Sequence, residues 1–179
     1  PATRVRFRQL QEAFGRTFPA LLADPLAEQT VIVNPSLTLD EDVMARVSGA
    51  HHYEERLLCL LLLLRHPRTH VVFLSSTPLS ETIVDYYIHL LPGIPALHAR
   101  RRLHLICCHD ASRAPLTAKI LARPRVIARI KEAIPDITKA HMACFTVTEI
   151  EREVSVRLGV PVYGCDPDLA VWGTKSGSR

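Results

Sequence analysis

The chain has 179 residues, 47% of them apolar and 22% charged, with a formal net charge of +4 and an isoelectric point near 9.0. A chain of that length and balance buries a substantial core, which excludes disorder as its overall state and fits one domain. Five cysteines, an odd number with no C-x-x-C pair, argue against both a disulfide framework and a zinc site.

The chain opens on a basic, polar stretch, which is no secretory signal, so a cytoplasmic location is expected. Phe7, Leu10, Phe14 and Phe18 then recur at helical spacing and predict an amphipathic N-terminal helix laid against the domain. Residues 30–33 form a short apolar strand. Ser36 or Asp40 is placed to cap a short helix running to about Val47, with Gly49 ending it.

Residues 53–65 carry the leucine run LLCLLLLLR behind Glu54, Glu55 and Arg56. The run is too short for a membrane span and reads as a buried helix. His51 and Glu55 share a face at i,i+4, but without further ligands an acidic first turn is the favoured reading over a metal pair. Arg56, beside the leucines, calls for a carboxylate partner among Glu54, Glu55 and Asp85.

The unit that organises the rest begins at His70. Val71, Val72, Phe73 and Leu74 form an unbroken apolar run, suited to a parallel strand covered on both faces. Ser75-Ser76-Thr77-Pro78 stops it. Ser80 is a good N-cap with Glu81 in the first turn, and Ile83, Tyr86, Tyr87, Leu90 and Leu91 follow at helical spacing until Pro92-Gly93.

Residues 103–108, 142–145 and 160–163 supply three more strands, separated by helical patterns at 125–133 and 148–158. The alternation predicts an α/β fold: an open parallel, Rossmann-like sheet of about five strands with helices on both faces. Arg100, Arg101 and Arg102 precede a strand at the end opposite the ligand edge, with no aromatic interleaving. They read as a solvated loop, not a nucleic-acid stripe.

In such sheets ligands bind beyond the carboxyl ends of the strands. Two turns fall there. One holds Ser75, Ser76 and Thr77; the other holds Asp110, Ser112 and Arg113, where backbone amides at a helix start and a guanidinium suit phosphate or carboxylate. Asp110 and Ser112 serve equally as turn and cap residues. Thr146 is placed to cap the last long helix and Gly159 to end it. There is no glycine-rich dinucleotide turn, P-loop, nucleophile elbow or H-E-x-x-H motif, so the residues point to a binding domain with no catalytic or metal residue to assign.

The strings VNPSLTLD, HHYEERLL, FLSSTPLSETIVDYYIHLLP, HDASRAPLTAKILARPRVI and DPDLAVWGTKSGSR, in that order, cover nearly the whole chain. Together they resemble the pre-ATP-grasp, N-terminal domain of ATP-grasp carboxylate-amine ligases, and are similar to the pheganomycin-type peptide ligases. The resemblance implies a pre-ATP-grasp-like domain over residues 1–172, with residues 173–179 as the junction to an ATP-grasp domain downstream in the same polypeptide. It implies ATP and Mg in the full-length enzyme, where a carboxylate is activated as an acyl phosphate that an amine attacks, with neither held tightly by this chain. By the same resemblance Lys175, in Gly173-Thr174-Lys175, matches a phosphate-facing lysine. The chain alone is then not expected to be a competent ligase. Its expected partners are the downstream domain and a small carboxylate or amine, with no nucleic acid, no membrane, and room for a homodimer. The alternative is a free-standing α/β binding or interaction module.

Overall fold

A computed structural model describes residues 2–38, 42 and 46–173. Its centre is a five-stranded sheet: β1 (Gln29–Asn34), β2 (Thr69–Ser75), β3 (Leu103–Cys107), β4 (Ala140–Cys144) and β5 (Val162–Tyr163). All neighbours are parallel and the lateral order is β3-β2-β1-β4-β5. The order reverses between β1 and β4, as in a doubly wound sheet.

The central strands are apolar throughout because both faces are covered. Ile32, Val72, Leu74, Ile106 and Met142 point to one core. It is closed by α1 (Ala2–Ala23), α4 (Leu116–Leu121), α5 (Pro124–Glu132) and α6 (Glu149–Leu158). Val31, Val33, Val71 and Phe73 point the other way, onto Leu58, Leu61 and Leu64 and onto Val84, Ile88 and Ala99 of α2 (Glu81–His89) and α3 (Ala96–Arg101). The period-2 alternation of a strand thus feeds two cores at once. Each fully buried leucine contributes about 1.5–3 kcal/mol by leaving water.

The leucine run is a 3-10 helix, Ala50–Arg65, where an α-helix was expected. Its burial repeats every three residues: Leu58, Leu61 and Leu64 are buried, and Arg56, Cys59, Leu62 and Arg65 are exposed. That is the period of three residues per turn. Gly49 enters the helix at φ 63, a conformation that a residue with a Cβ adopts only under strain. At the other end Arg102 donates to the carbonyls of Leu64, His66 and Thr69 at 2.7–2.8 Å.

This grip corrects the reading of Arg100, Arg101 and Arg102 as a solvated loop. Arg100 and Arg101 close α3, and Arg100 pairs with Glu81 and Asp85 at 2.8 and 2.5 Å. Asp85 is therefore no partner of Arg56, which lies over the Tyr53 ring at 4.2 Å with no ion pair among the described residues. Most of the short helix expected before Gly49 lies outside the described residues.

α1 passes around the β5 side of the sheet. Phe7 is fully buried in the first core, while Phe14, tilted, and Phe18, edge-on, pack against His141, on the opposite face of β4 from Met142. Between them Gln11 bonds both the N–H and the carbonyl of Val162, at 2.8 and 3.0 Å. In α6, Thr148 and Glu151 form a capping box and Gly159 is left-handed at φ 81. Arg152, 1% exposed, reaches from α6 to Asp166, Asp168 and Glu149 at 2.6–3.0 Å and ties down the 3-10 segment Pro167–Gly173. Among the described residues no helix is long and apolar enough to cross a membrane.

Candidate functional site

The parallel register puts the ends of β2 and β3 side by side, with Ser75 opposite Cys107. The ladder continues past the strands: Cys108 N–H donates to Ser75 O at 2.9 Å and Asp110 N–H to Ser76 O at 2.8 Å. The two expected turns are therefore neighbours. His109, at the crossing, takes a positive φ of 52, uncommon outside glycine.

Two charged side chains that sequence reading did not select bind these turns together. Glu54, 6% exposed, accepts from both the N–H and the hydroxyl of Ser76, at 2.6 and 2.5 Å. Lys119, 4% exposed, directs its ammonium to Ser76 Oγ, Asp110 O and Ser112 O at 2.8–2.9 Å. Ser76, fully buried, thus sits between a carboxylate and an ammonium. A buried charge of either sign alone is costly, and here each has hydrogen-bonded compensation.

Asp110 extends the cluster to Arg123, 2.6 Å away. Hydrogen bonds from the Ser112 side chain and backbone N–H, then Arg123 and the nearby Lys119, hold the Asp110 carboxyl down at about 2. Burial pushes the Cys108 thiol up to about 11, which removes it as a nucleophile near neutral pH.

In front of this floor lies a cleft of about 470 Å³. Leu37, Arg46, Ser48 and Gly49 line one wall, Ser112, Arg113, Ala114 and Pro115 the other, with Glu54 and Lys119 below. Arg46 and Arg113 are exposed, and neither has an ion pair among the described residues. The arrangement offers two guanidinium groups to a small anion over a floor whose own charges are already matched. Such forks fit a carboxylate or phosphate oxygen pair.

Of the expected site residues, Ser112 and Arg113 line the cleft, while Asp110 braces the turn behind it. Ser75 and Ser76 are buried under it, and Thr77 is half-buried beside Ser76. Of the amides expected at the following helix start, that of Thr117 is taken by Ser36 Oγ at 3.2 Å, and the helix, α4, has six residues. Lys175 lies outside the described residues.

A second polar cluster occupies the crevice where strand order reverses. Asn34 donates to Thr117 at 2.9 Å, Ser36 contacts Thr38, and Thr146 bridges Ser36 O and Thr38 N. Thr38 and Thr148 both donate to Glu151, which is fully buried. Thr148, not Thr146, is the cap of α6.

No family model and no solved structure matches the chain. It is similar to a ligase. The L-propargylglycine--L-glutamate ligase of Streptantibioticus cattleyicolor is 29% identical to it over 141 residues, which cover 76% of the chain and 29% of that protein. The chain thus spans less than a third of the length of this relative.

Lys119 left a signal in the sequence as a lone charge within an apolar helical run, and Glu54 a weaker one, as one of three charges before the leucines. Neither their partner nor their burial is local, because Ser76 lies 22 residues from Glu54 and 43 from Lys119.

Proposed function

We propose that this chain is the N-terminal, substrate-side domain of an ATP-dependent carboxylate-amine ligase of peptide type. The cleft between Arg46 and Arg113 receives the carboxylate of one substrate. The observation that carries the reading is the pair of exposed arginines, Arg46 and Arg113, lining a cavity of about 470 Å³, roomy enough for an amino acid, above a floor of Glu54, Ser76 and Lys119. A relative named for joining two amino acids supports the same substrate class.

The described residues include no group of three or more His, Cys, Asp or Glu able to hold a metal ion. The sequence also lacks a glycine-rich phosphate loop. On this reading most of the ATP and Mg contacts belong to other parts of the full-length ligase. This domain would orient the carboxylate and keep it from water. Ser76 is buried and bonded on both sides, so it attacks nothing.

The test uses the full-length ligase. ADP formation should require both an α-amino acid carboxylate and an amine. Arg113→Ala should raise KM for the carboxylate about tenfold while kcat changes less, the pattern of lost binding that is uniform between ground and transition state. ADP formation independent of either substrate, or an unmoved KM, sinks the reading in favour of a binding or interaction module.

A further inference from the structure

The two edges of the sheet are treated differently. On the β5 side the strand is two residues long, and its outward N–H and carbonyl, both of Val162, are bonded to Gln11 of α1. That edge is short and covered, which is how soluble proteins prevent strand addition.

The β3 side has neither device. Val71 N–H bonds Arg102 O and Cys108 N–H bonds Ser75 O, so the even-numbered residues of this stretch face β2. The N–H and carbonyl groups of Leu103, Leu105 and Cys107 therefore point outward, and none has a backbone or side-chain partner among the described residues. The strand is five residues long, Leu-His-Leu-Ile-Cys, with no lysine, proline or bulge to discourage pairing. An open groove of about 430 Å³ runs along it, walled by Arg129 and Glu132 of α5 and by Ala133, which caps that helix. Arg129 and Glu132 are exposed, with no ion pair among the described residues.

We propose that a second copy of this chain pairs with the bare edge, β3 to β3, in an antiparallel arrangement about a two-fold axis at Leu105. The choice of occupant rests on charge and symmetry. A two-fold interface brings each residue of a patch against a different residue of the same patch. A groove wall with one cation and one anion three residues apart is then complementary to itself, Arg129 of each copy meeting Glu132 of the other. The outward groups also match: Leu105 exchanges two main-chain hydrogen bonds with its own counterpart, and Leu103 exchanges two with Cys107 of the second copy. The dimer would carry one continuous ten-stranded sheet and leave both carboxyl-edge clefts open.

Sedimentation equilibrium of the chain should give twice its 20.0 kDa mass. Leu105→Pro removes the outward N–H at the axis, where an edge strand tolerates proline, and should weaken the dimer about tenfold or more. Arg129→Glu lies on an exposed helix face and tests the same contact without touching the strand. It should weaken the dimer, and the double swap R129E/E132R should restore it. A monomeric wild-type chain, an Arg129→Glu variant that dimerises as tightly as wild type, or a double swap that fails to recover the dimer each overturns the proposal.

Discussion

Two polar clusters stand at the carboxyl ends of the strands, and they use the same kinds of side chain to opposite effect. Between β1 and β4, Asn34, Thr38, Thr117, Thr148 and Glu151 bond one another, and the Glu151 carboxylate sits at the start of α6, where a bound anion would otherwise sit. Between β2 and β3, Glu54 and Lys119 neutralise each other through Ser76, and the cations left over, Arg46 and Arg113, face open space. Doubly wound sheets usually bind ligands where strand order reverses. Here that crevice is stoppered by the chain's own carboxylate, and the open site is displaced by two strands, to the β2/β3 junction. Its place follows from which cluster spends all its donors internally.

The comparison is broken most severely at Lys119. Lys119→Met removes the buried ammonium that bonds Ser76, Asp110 and Ser112 and should cost about 3–5 kcal/mol, read by denaturant unfolding. The double variant E54Q/K119M should cost much less than the sum of the two single changes, because neither charge is then left alone. Additive losses would show that the two do not act through Ser76.

Acid stability separates both clusters from a third group. Burial beside Phe14 and Phe18 lowers the pKa of His141 from 6.5 to about 4. The unfolded chain therefore binds the proton first. His141 contributes stability fully above about pH 6.5 and loses about 3 kcal/mol as pH falls to about 4. Asp110, held at about 2, stays ionised through that window. His141→Leu should flatten the stability profile between those pH values; a loss that persists unchanged would place the titrating group elsewhere, as at His70, whose pKa burial also lowers.

Thr117→Val in the closed cluster leaves the Asn34 amide without an acceptor and should lower stability by about 1–3 kcal/mol. It should leave substrate KM in the full-length ligase where it was. Arg113→Ala is its mirror image, with an unfolding free energy within about 0.5 kcal/mol of wild type and a raised KM. A Thr117→Val variant that moves KM would mean the closed crevice is part of the site.

Much of the fold was legible because two-sided burial writes itself as unbroken apolar runs such as Val71, Val72, Phe73 and Leu74. The helix signals at Ser80, Pro124 and Gly159 fell where the structure has them. Lateral strand order was not legible, since a strand's pattern says which faces are buried and nothing about its neighbours. The winding of residues 50–65 was hidden by composition: with leucine at seven of the eight positions 57–64, the run displays no period. Ser112 and Arg113, read from turn chemistry, line the cleft, whereas the burial of Glu54 and Lys119 beneath it, and of Arg152 in α6, was not legible. Their partners are remote in the chain, and charge burial is decided by those partners.

The 3-10 helix has a mechanical consequence. It is gripped near one end, where Glu54 holds Ser76, and at the other, where Arg102 holds Leu64. Over the ten residues between those grips a 3-10 winding spans about 20 Å, against about 15 Å for an α-helix. Rewinding the segment would shorten it by about 5 Å, more than either grip can stretch. The leucine run therefore acts as a strut of fixed length, and the width of the cleft is set by a distance measured along the far side of the sheet.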